Sequence, residues 1–397
     1  MNAIPLLTVV WLAQVPAASN PALLIYPGDF TLVQEVRSVT LPAGRSSIRL
    51  DVVRGNVDQA SLEVEPLDHP AEIKVVAMLR RAEQPSATFV EVESSIATDE
   101  RLRLSYVVHG LSASVRYTLA LDAARKTLDL VQELEVGNGS GQSFDGAVVR
   151  SLFGDVRTVN PNAVLHGRAA DPAPGAPPGL PAEPLRQDLL EHAVVAFGAP
   201  VALQDGITVR RPATELRGIP VVLEYRFDAT QSARVMRVLK VANQAGSGLG
   251  GVSLQAGALF FVEREPGGLE VPVRVGSLAQ LPAGKELELD AGVANDVVIE
   301  RDQVDLVRTD LVFGEYNRAL VSYAVEEAYR LEIRGHASEP RSLVITEHVD
   351  QTDTFDVIEA TLTPVRKDRS TLEFRLDLPA GQTVELRYRL KKSNVKA

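Results

Sequence analysis

The sequence contains no cysteine and few aromatic residues, and both scarcities restrict its chemistry. Because cysteine is absent from all 397 residues, disulfides, thiolate metal ligands and cysteine nucleophiles are excluded. Aromatic residues make up only 5%, and the single tryptophan is Trp11. No apolar run reaches the roughly 18 residues that a membrane-spanning helix needs. Any chemistry must therefore rest on imidazole, carboxylate, hydroxyl or basic side chains.

Positive charge is also in deficit. The chain has 41 Lys and Arg against 52 Asp and Glu, a formal net charge of −11. An acidic total disfavours non-specific coating of nucleic acid, although a local basic patch is compatible with it. With 23% charged and 45% hydrophobic residues, the composition is that of an ordinary globular protein long enough for two or three domains.

The amino-terminal sequence indicates whether the protein is exported or stays in the cytoplasm. No charged side chain precedes Asp29, and a short apolar run at residues 4–13 is followed by Val15-Pro16-Ala17, which fits a signal-peptidase site. These features predict a signal peptide over residues 1–19 and a periplasmic, extracellular or cell-envelope protein. The basic residues that normally precede such a run are missing, so the alternative is an apolar N-terminal strand in a cytoplasmic protein.

The dominant periodicity of the chain is two. Leu102-Arg103-Leu104-Ser105-Tyr106 alternates apolar and polar residues, as a half-solvated antiparallel strand does. The same alternation recurs at residues 48–52, 115–119, 287–289, 372–376 and 384–388. Leu-Pro-Ala-Gly occurs at residues 41–44, 281–284 and 378–381, each time as a turn before a strand. We therefore predict an all-β protein of antiparallel β-sandwich lobes with very little helix, a short turn at 185–192 excepted.

One proline-rich segment predicts a boundary between two lobes of the protein. Residues 171–184 hold six prolines, which make a stiff, extended linker or loop. The predicted organisation is an N-terminal β lobe over residues 20–170, this linker or loop, and a C-terminal β-sandwich lobe over residues 185–397. Whether the two lobes share strands stays open.

An ordered series of segments resembles DUF4139, a bacterial envelope-associated family of unknown function. The series is Arg103-Leu104-Ser105-Tyr106, Gly110-Leu111-Ser112, Gly137-Asn138-Gly139-Ser140-Gly141, Gly154-Asp155-Val156, Glu332-Ile333-Arg334-Gly335-His336 and Glu347-His348. The resemblance covers residues 24–392 and is to the short form without a coiled coil. It implies β-rich folding and an envelope setting, and it implies no established reaction.

The chain departs from the family pattern at three positions. The tryptophan that usually follows Gly-Leu-Ser is Ala113, and a later tryptophan is Phe355. The asparagine of Arg-Asn-His is Gly335. A shared site built on those tryptophans would be altered or lost here.

A divalent-metal site is the first alternative to a purely structural role. His336, Glu347, His348, Asp350 and Asp353 form the richest group of imidazole and carboxylate ligands. However, none of the six histidines has the H-x-H or H-x-x-x-H spacing of a local metal motif. Glu347 and His348 are also adjacent on an alternating strand, which points their side chains to opposite faces. No cofactor is therefore expected, and a divalent metal is the alternative.

Three further places could bind a ligand. Two are loops, one with Asn138 and Ser140, the other with Asn243, Gly248 and Gly250. The second loop is glycine-rich but is followed by a strand, whereas a dinucleotide site needs a helix there. The third place is the positive stripe of Arg387 and Arg389, which share one strand face and could meet phosphates or acidic polymers.

The sequence therefore favours a non-enzymatic, exported structural or binding protein of the cell envelope, with an envelope protein or polymer as partner. A divalent-metal-dependent enzyme or metal-binding protein is the first alternative. A nucleic-acid-binding protein is the second alternative, and it requires that the chain is not exported.

Overall fold

The computed structural model describes residues 8–10, 20–50, 55–81, 84–153, 193–228, 230–316, 319–349 and 355–396. Strands make up 71% of the structure, and the described residues contain no helix, which confirms the all-β prediction. Consequently they include no helix with the length and hydropathy of a membrane span. Several predicted features lie outside the described residues: the signal peptide at 1–19 (except Thr8–Val10), the linker at 171–184, the turn at 185–192, and Asp350 and Asp353.

Two sheets, I and II, are built mainly from the first half of the chain, and sheet III combines strands from both halves. Sheet I contains, in spatial order, β1 (Thr8–Val10), β4 (Gly44–Leu50), β7 (Gln84–Ser94) and β6 (Ile73–Arg81). Sheet II contains β12 (Ala193–Ala196), β11 (Phe144–Phe153), β2 (Ala22–Tyr26), β3 (Phe30–Leu41), β8 (Thr98–Val108) and β5 (Val57–Pro66), with β13 (Val201–Leu203) also on β11. Sheet III contains β14 (Thr208–Pro220), β10 (Thr127–Asn138), β9 (Leu111–Leu121), β19 (Gly257–Arg264) and β20 (Glu270–Leu278).

Two sheets come from the second half. Sheet IV contains β21 (Leu287–Val293), β16 (Met236–Val241), β15 (Val222–Asp228), β24 (Arg341–His348), β27 (Thr371–Leu378) and β26 (Val365–Arg366). Sheet V contains β22 (Val297–Phe313), β23 (Leu320–Gly335), β28 (Thr383–Lys396) and β25 (Phe355–Ala360). A short hairpin pairs β17 (Asn243–Gln244) with β18 (Ser247–Gly248).

Period-two patterning decides which side of each strand is buried. In β10, buried and half-buried residues alternate along the whole strand, and Leu128, Leu130 and Leu134 are fully buried. The Leu-Pro-Ala-Gly turns end in glycines with positive φ: Gly44 at 104°, Gly284 at 79° and Gly381 at 63°. Each leads within three residues into a strand, as predicted.

The buried residues form two cores. The first joins sheets I, II and III with the β16–β21 end of sheet IV, through residues such as Ile48, Leu104, Leu119 and Leu239. The second lies between sheets IV and V, where Phe374 of sheet IV packs against Tyr388 of sheet V with ring centroids 5.1 Å apart. Sheets IV and V are therefore the two layers of a sandwich.

Strands from either side of residues 154–192 share two sheets. In sheet II, β12 and β13 pair with β11, and in sheet III, β14 pairs with β10. In addition, β19 runs parallel to β9, where Gly257 has no room for a side chain because a Cβ would lie 2.3 Å from the Val115 carbonyl oxygen. The lobes before and after the proline-rich segment are therefore joined by common sheets.

One face of sheet IV is covered by two different sheets. The β15–β16 register pairs Tyr225 with Arg237 and Leu223 with Leu239, which places all four side chains on the same face. Tyr225 belongs to the core shared with sheet V, whereas Leu239 belongs to the core shared with sheet III. A cleft lies on this face where the two covering sheets meet.

Candidate functional site

The cleft between sheets III, IV and V has a volume of about 640 Å³. Ligand sites commonly measure roughly 300–1,000 Å³ and combine a few placed polar groups with apolar walls. The charged and titratable residues of its lining are Arg125, Arg237, Arg264, Asp122, Glu263, Glu265, Asp296 and His336. Val271, Val273 and Val293 supply apolar wall.

Arg237 on β16 is the most buried charged group described in this cleft, with a side chain 14% exposed. Its Nη1 donates to Glu263 Oε1 at 2.8 Å, and its Nη2 donates to the Ala291 carbonyl oxygen at 2.6 Å. The buried Nε–H has no acceptor among the residues that the structure describes. A buried donor without an acceptor is unfavourable by about 1–3 kcal/mol, and beside a cleft a ligand or a water molecule can supply the acceptor.

The acidic groups of the cleft are mostly engaged. Glu263 lies between two arginines, because Arg125 Nη2 also donates to its Oε2 at 3.4 Å. Asp296 Oδ2 accepts from Arg341 Nε at 3.1 Å. Partial burial alone would raise the pKa of Asp122, but N–H donors of the β9–β10 turn outweigh it and lower that pKa. The cleft's unpaired buried group is therefore a donor, which suits an acceptor such as a carboxylate or phosphate oxygen.

Sequence reasoning did not select Arg237, although the strand carries a signal for it. In β16, Arg237 alternates with Leu239 and Val241, so the arginine stands in the apolar phase of its strand. A lone cation in the buried phase requires a partner, and that partner, Glu263, lies on a distant strand.

The predicted metal residue His348 is the last residue of β24, and both of its ring nitrogens contact polar side chains. Its Nε2 is 3.0 Å from Asp228 Oδ2, and its Nδ1 is 3.4 Å from Thr371 Oγ1. This order of hydroxyl, imidazole and carboxylate has the composition of a nucleophilic triad, but Thr371 is only 9% exposed. These contacts connect the ends of β15, β24 and β27. They do not present the Thr371 hydroxyl to solvent as a nucleophile.

Glu347 points to the opposite face from His348, as the strand alternation predicted. It is 3% exposed and accepts from Arg301 Nε at 3.0 Å and from Arg301 Nη2 at 3.0 Å. The Arg301 guanidinium also lies 4.1 Å from the centroid of the Tyr329 ring. Glu347 is therefore committed to an ion pair inside the sandwich of sheets IV and V.

His336 lies at the other end of β24. Its backbone N–H donates to the Asp296 carbonyl oxygen at 2.8 Å, and the Asp296 carboxylate binds Arg341, the first residue of that strand. β24 is eight residues long and ends at His348, so its first and last residues are about 23 Å apart. The structure does not bring His336, Glu347 and His348 together, and the described residues contain no group of three or more metal-ligating side chains.

The predicted binding residues Asn138 and Ser140 are buried and use their polar atoms internally. Asn138 Nδ2 donates to the carbonyl oxygens of Gln142 at 2.9 Å and Leu203 at 3.0 Å. Its Oδ1 accepts from Ser140 Oγ at 2.7 Å and from the Ser140 N–H at 3.1 Å. These bonds hold the β10–β11 loop against the end of β13.

The second predicted loop is a compact hairpin. Asn243 is 1% exposed, and its Nδ2 donates to the Val252 carbonyl oxygen at 2.8 Å. Gly248 has φ of 59°, and a Cβ there would lie 1.8 Å from the Ala242 carbonyl oxygen. Gly250 also has a positive φ, of 79°. The glycines meet backbone requirements of the turn, and strand β19 follows, as expected.

The predicted positive stripe is paired with acids. Arg387 Nε is 2.5 Å from Glu385 Oε1 on the same strand. Arg389 Nη1 is 3.0 Å from Asp305 Oδ2 and 4.0 Å from Glu326 Oε2, on two neighbouring strands of sheet V. The stripe is thus one part of a mixed-charge sheet surface, which presents a weaker field to phosphates than free arginines would.

Glu100 is a further buried acid that the sequence did not reveal. It is 1% exposed, and it accepts from the Asp68 N–H at 2.7 Å and from His69 Nδ1 at 2.8 Å. Burial alone would raise the pKa of Glu100, but the hydrogen bonds from His69 and the backbone of residues 67–69 outweigh it and lower that pKa. The carboxylate therefore fastens the loop after β5 to β8.

We expect Glu100→Gln to flatten the acid dependence of stability. Because the folded pKa is lowered, this carboxylate stabilises the protein fully above its unfolded pKa of about 4.5, and the contribution is lost as pH falls through the folded pKa. Urea unfolding at neutral pH and at successively lower pH below about 4.5 measures the effect. Glu93→Gln, at an acid whose side chain is 54% exposed, is the control and should leave the slope unchanged. Equal slopes for Glu100→Gln and the native chain would contradict the assignment.

Comparison with known proteins gives no relative. No protein-family model matches the chain, and no curated protein matches it. The resemblance to DUF4139 therefore stays a prediction.

Proposed function

We propose that this chain is a non-enzymatic, exported binding protein of the cell envelope, and that its ligand binds in the cleft between sheets III, IV and V. The observation that carries the proposal is the buried Nε–H of Arg237, which lacks an acceptor among the described residues. The polar residues on which a catalytic alternative would depend, Glu347 and His348, are held by Arg301 and Asp228. Because both side chains already have partners, we favour binding over catalysis.

The ligand class follows from the chemistry of the cleft. An arginine N–H prefers an anionic acceptor, because a charge-assisted hydrogen bond is about twice as strong as a neutral one. Arg125 and Arg264 stand in the same lining, but Arg125 is paired with Glu263, and Arg264 with Asp129 and Glu270, so Arg237 is the donor on which the site depends. Carboxylate and phosphate groups are the acceptors that fit, and acidic polymers of an envelope carry both. A segment of such a polymer is the proposed ligand.

Titration of the purified full chain with inorganic phosphate and with succinate tests the site. We expect saturable binding of at least one anion by calorimetry, and binding about 10- to 100-fold weaker for Arg237→Gln, because one charge-assisted hydrogen bond contributes about 1.5–3 kcal/mol. Arg45→Gln is the matched control, since Arg45 has a side chain 52% exposed on β4 of sheet I, a sheet that contributes no residue to the cleft lining. Its affinity should equal that of the native chain.

Two results would contradict this site. One is the absence of saturable binding of either anion to the native chain at low salt. The other is equal affinity for the native chain and Arg237→Gln, with circular dichroism showing that both are folded.

Cell fractionation and sequencing of the mature amino terminus test the compartment separately. We expect the protein in the envelope fraction, with an amino terminus created by cleavage near residue 19. A cytoplasmic chain that retains Met1 would overturn export and leave the cleft proposal standing on its own test.

A further inference from the structure

A second surface stands apart from the cleft, on the hairpin of β22 and β23. We call the described residues between 304 and 321 the arm. Of the 23 large hydrophobic residues that are exposed in the described part of the chain, eight belong to the arm. They include Tyr316, which is fully exposed, Phe313 at 56%, and Leu306 at 55%. Soluble monomers rarely expose so many apolar side chains in one place, so this concentration marks an interaction surface.

The arm is unusual because both of its faces are apolar. Leu306 and Val307 are neighbours on β22, so their side chains point to opposite faces of sheet V, and they are 55% and 43% exposed. A globular partner docked on the arm would cover one face only. A strand added beside β22 would supply neighbouring side chains on both faces.

The backbone of β22 also favours the addition of a strand beside it. β22 is the end strand of sheet V, and no described strand pairs with its outer edge. Alternate N–H and C=O groups along that edge therefore point away from the protein, a template for pairing with another strand. Exposed edges are commonly blunted by proline, by charged side chains (lysine above all) or by β-bulges; β22 contains no proline or lysine, and its stretch from Asp305 to Thr309 has no bulge.

We propose that the partner at this edge is a second copy of the chain, joined by antiparallel β22–β22 pairing into a continuous sheet of eight strands. Pairing of the two edges would cover both faces of the paired stretch, where Leu306 and Val307 are 55% and 43% exposed. The same surface on both partners makes a closed, two-fold dimer.

The pairing register follows from two bulges in β22. Register shifts occur between Gln303 and Asp305 and between Thr309 and Val312, so Asp305–Thr309 is the regular stretch between them. A two-fold axis at Val307 places Val307 opposite its own counterpart and Asp305 opposite Thr309. No like charges then face each other, and the Asp305 carboxylate keeps its ion pair with Arg389 at 3.0 Å.

Insertion of the arm into a lipid surface is the competing interpretation, and physical chemistry disfavours it. The unpaired edge of β22 would place backbone polar groups in hydrocarbon without partners, at several kcal/mol for each group. Asp305, Arg308 and Asp310 also lie within the apolar part of the strand. Pairing with a second copy satisfies the edge and leaves these charges at the sheet surface.

A single-cysteine variant tests the dimer directly, because the native chain has no cysteine. Opposite residues of an antiparallel pair have Cα atoms about 4.5–5.5 Å apart, within the range that a disulfide spans. We expect full-length Val307→Cys to form a covalent dimer on mild oxidation, reversed by reductant. Val275→Cys, at a valine 64% exposed on the end strand β20 of sheet III, is the matched control and should cross-link at least tenfold less.

Sedimentation of the uncross-linked protein gives the second readout. The native chain and Val275→Asp should sediment with twice the mass of one chain, and Val307→Asp should sediment as a monomer. A native chain that stays monomeric over a wide range of concentrations would overturn the proposal. So would a dimer that Val307→Asp leaves intact, or a monomer whose arm is needed for flotation with anionic phospholipid vesicles.

Discussion

Arg301→Ala is expected to lower the free energy of unfolding by about 3–5 kcal/mol, the range found when one partner of a buried ion pair is removed. The Glu347 side chain is 4% exposed, and Arg301 is its ion-pair partner between sheets IV and V. Without the guanidinium, a carboxylate would stay in the core with little access to water. The loss comes mainly from this uncompensated charge rather than from the missing attraction.

Neighbouring groups cannot replace Arg301. Tyr388 and Tyr329 stack beside the pair, with ring centroids 5.2 Å apart. Burial raises the pKa of Tyr388, and the negative charge of Glu347 raises it further, so this side chain stays neutral. The arginine is therefore the cation that makes a buried Glu347 tolerable.

Urea unfolding monitored by circular dichroism measures the effect. Arg330→Ala is the control: it breaks an ion pair with Asp302 in which the side chains are 41% and 56% exposed, so it should lower stability far less than Arg301→Ala does. The double variant Arg301→Met with Glu347→Leu should recover most of the loss, since it removes the buried charge as well. Equal effects of Arg301→Ala and Arg330→Ala would show that Glu347 is not buried as a charge.

Asn138→Ala is expected to lower the free energy of unfolding by about 3 kcal/mol, because four hydrogen bonds disappear and buried partners lose theirs. The carboxamide connects the β10–β11 loop with the end of β13 through the carbonyl oxygens of Gln142 and Leu203. The Ser140 hydroxyl, fully buried, would lose its 2.7 Å bond to Asn138 and keep only its contacts with Gln142, at 3.2 Å to the carbonyl oxygen and 3.4 Å from the N–H. A binding role would instead predict a folded, equally stable variant that has lost a ligand.

Chemical unfolding of Asn138→Ala beside Ser143→Ala separates the two roles. Ser143 is exposed in the same loop, and its hydroxyl accepts one hydrogen bond, from the Asp205 N–H at 3.1 Å. Its removal should lower stability by no more than about 1 kcal/mol. If Asn138→Ala were as stable as Ser143→Ala, the internal role of the carboxamide would be wrong.

The predicted strands are the part of the structure that the sequence anticipated best. Alternation at residues 102–106 and 384–388 lies within β8 and β28, and the Leu-Pro-Ala-Gly turns precede β4, β21 and β28. These signals are local, because a residue and its second neighbour decide which face is buried. The opposite orientation of Glu347 and His348 followed from the same rule.

The candidate sites show where such reasoning ends. His336 and His348 are twelve residues apart in sequence, yet they lie at opposite ends of β24. Arg237 and Glu263 are on different sheets, and their contact at 2.8 Å depends on how sheets III and IV pack. Arg387 and Arg389 form a basic stripe in the sequence of β28; Glu385 on the same strand pairs with Arg387, whereas the acids near Arg389 come from β22 and β23, which only the sheet brings close.

By itself, the sequence determined the strand character of the chain, the turns between many strands, and the exclusion of cysteine chemistry. Only the tertiary structure decided that strands on both sides of the proline-rich segment share sheets, that a cleft forms where sheets III and V meet on sheet IV, and that β22 keeps an open edge. The physical reason is that strand formation depends on neighbours two residues away. The pairing partner of a strand is selected by hydrogen bonding and packing between segments that lie far apart in the chain.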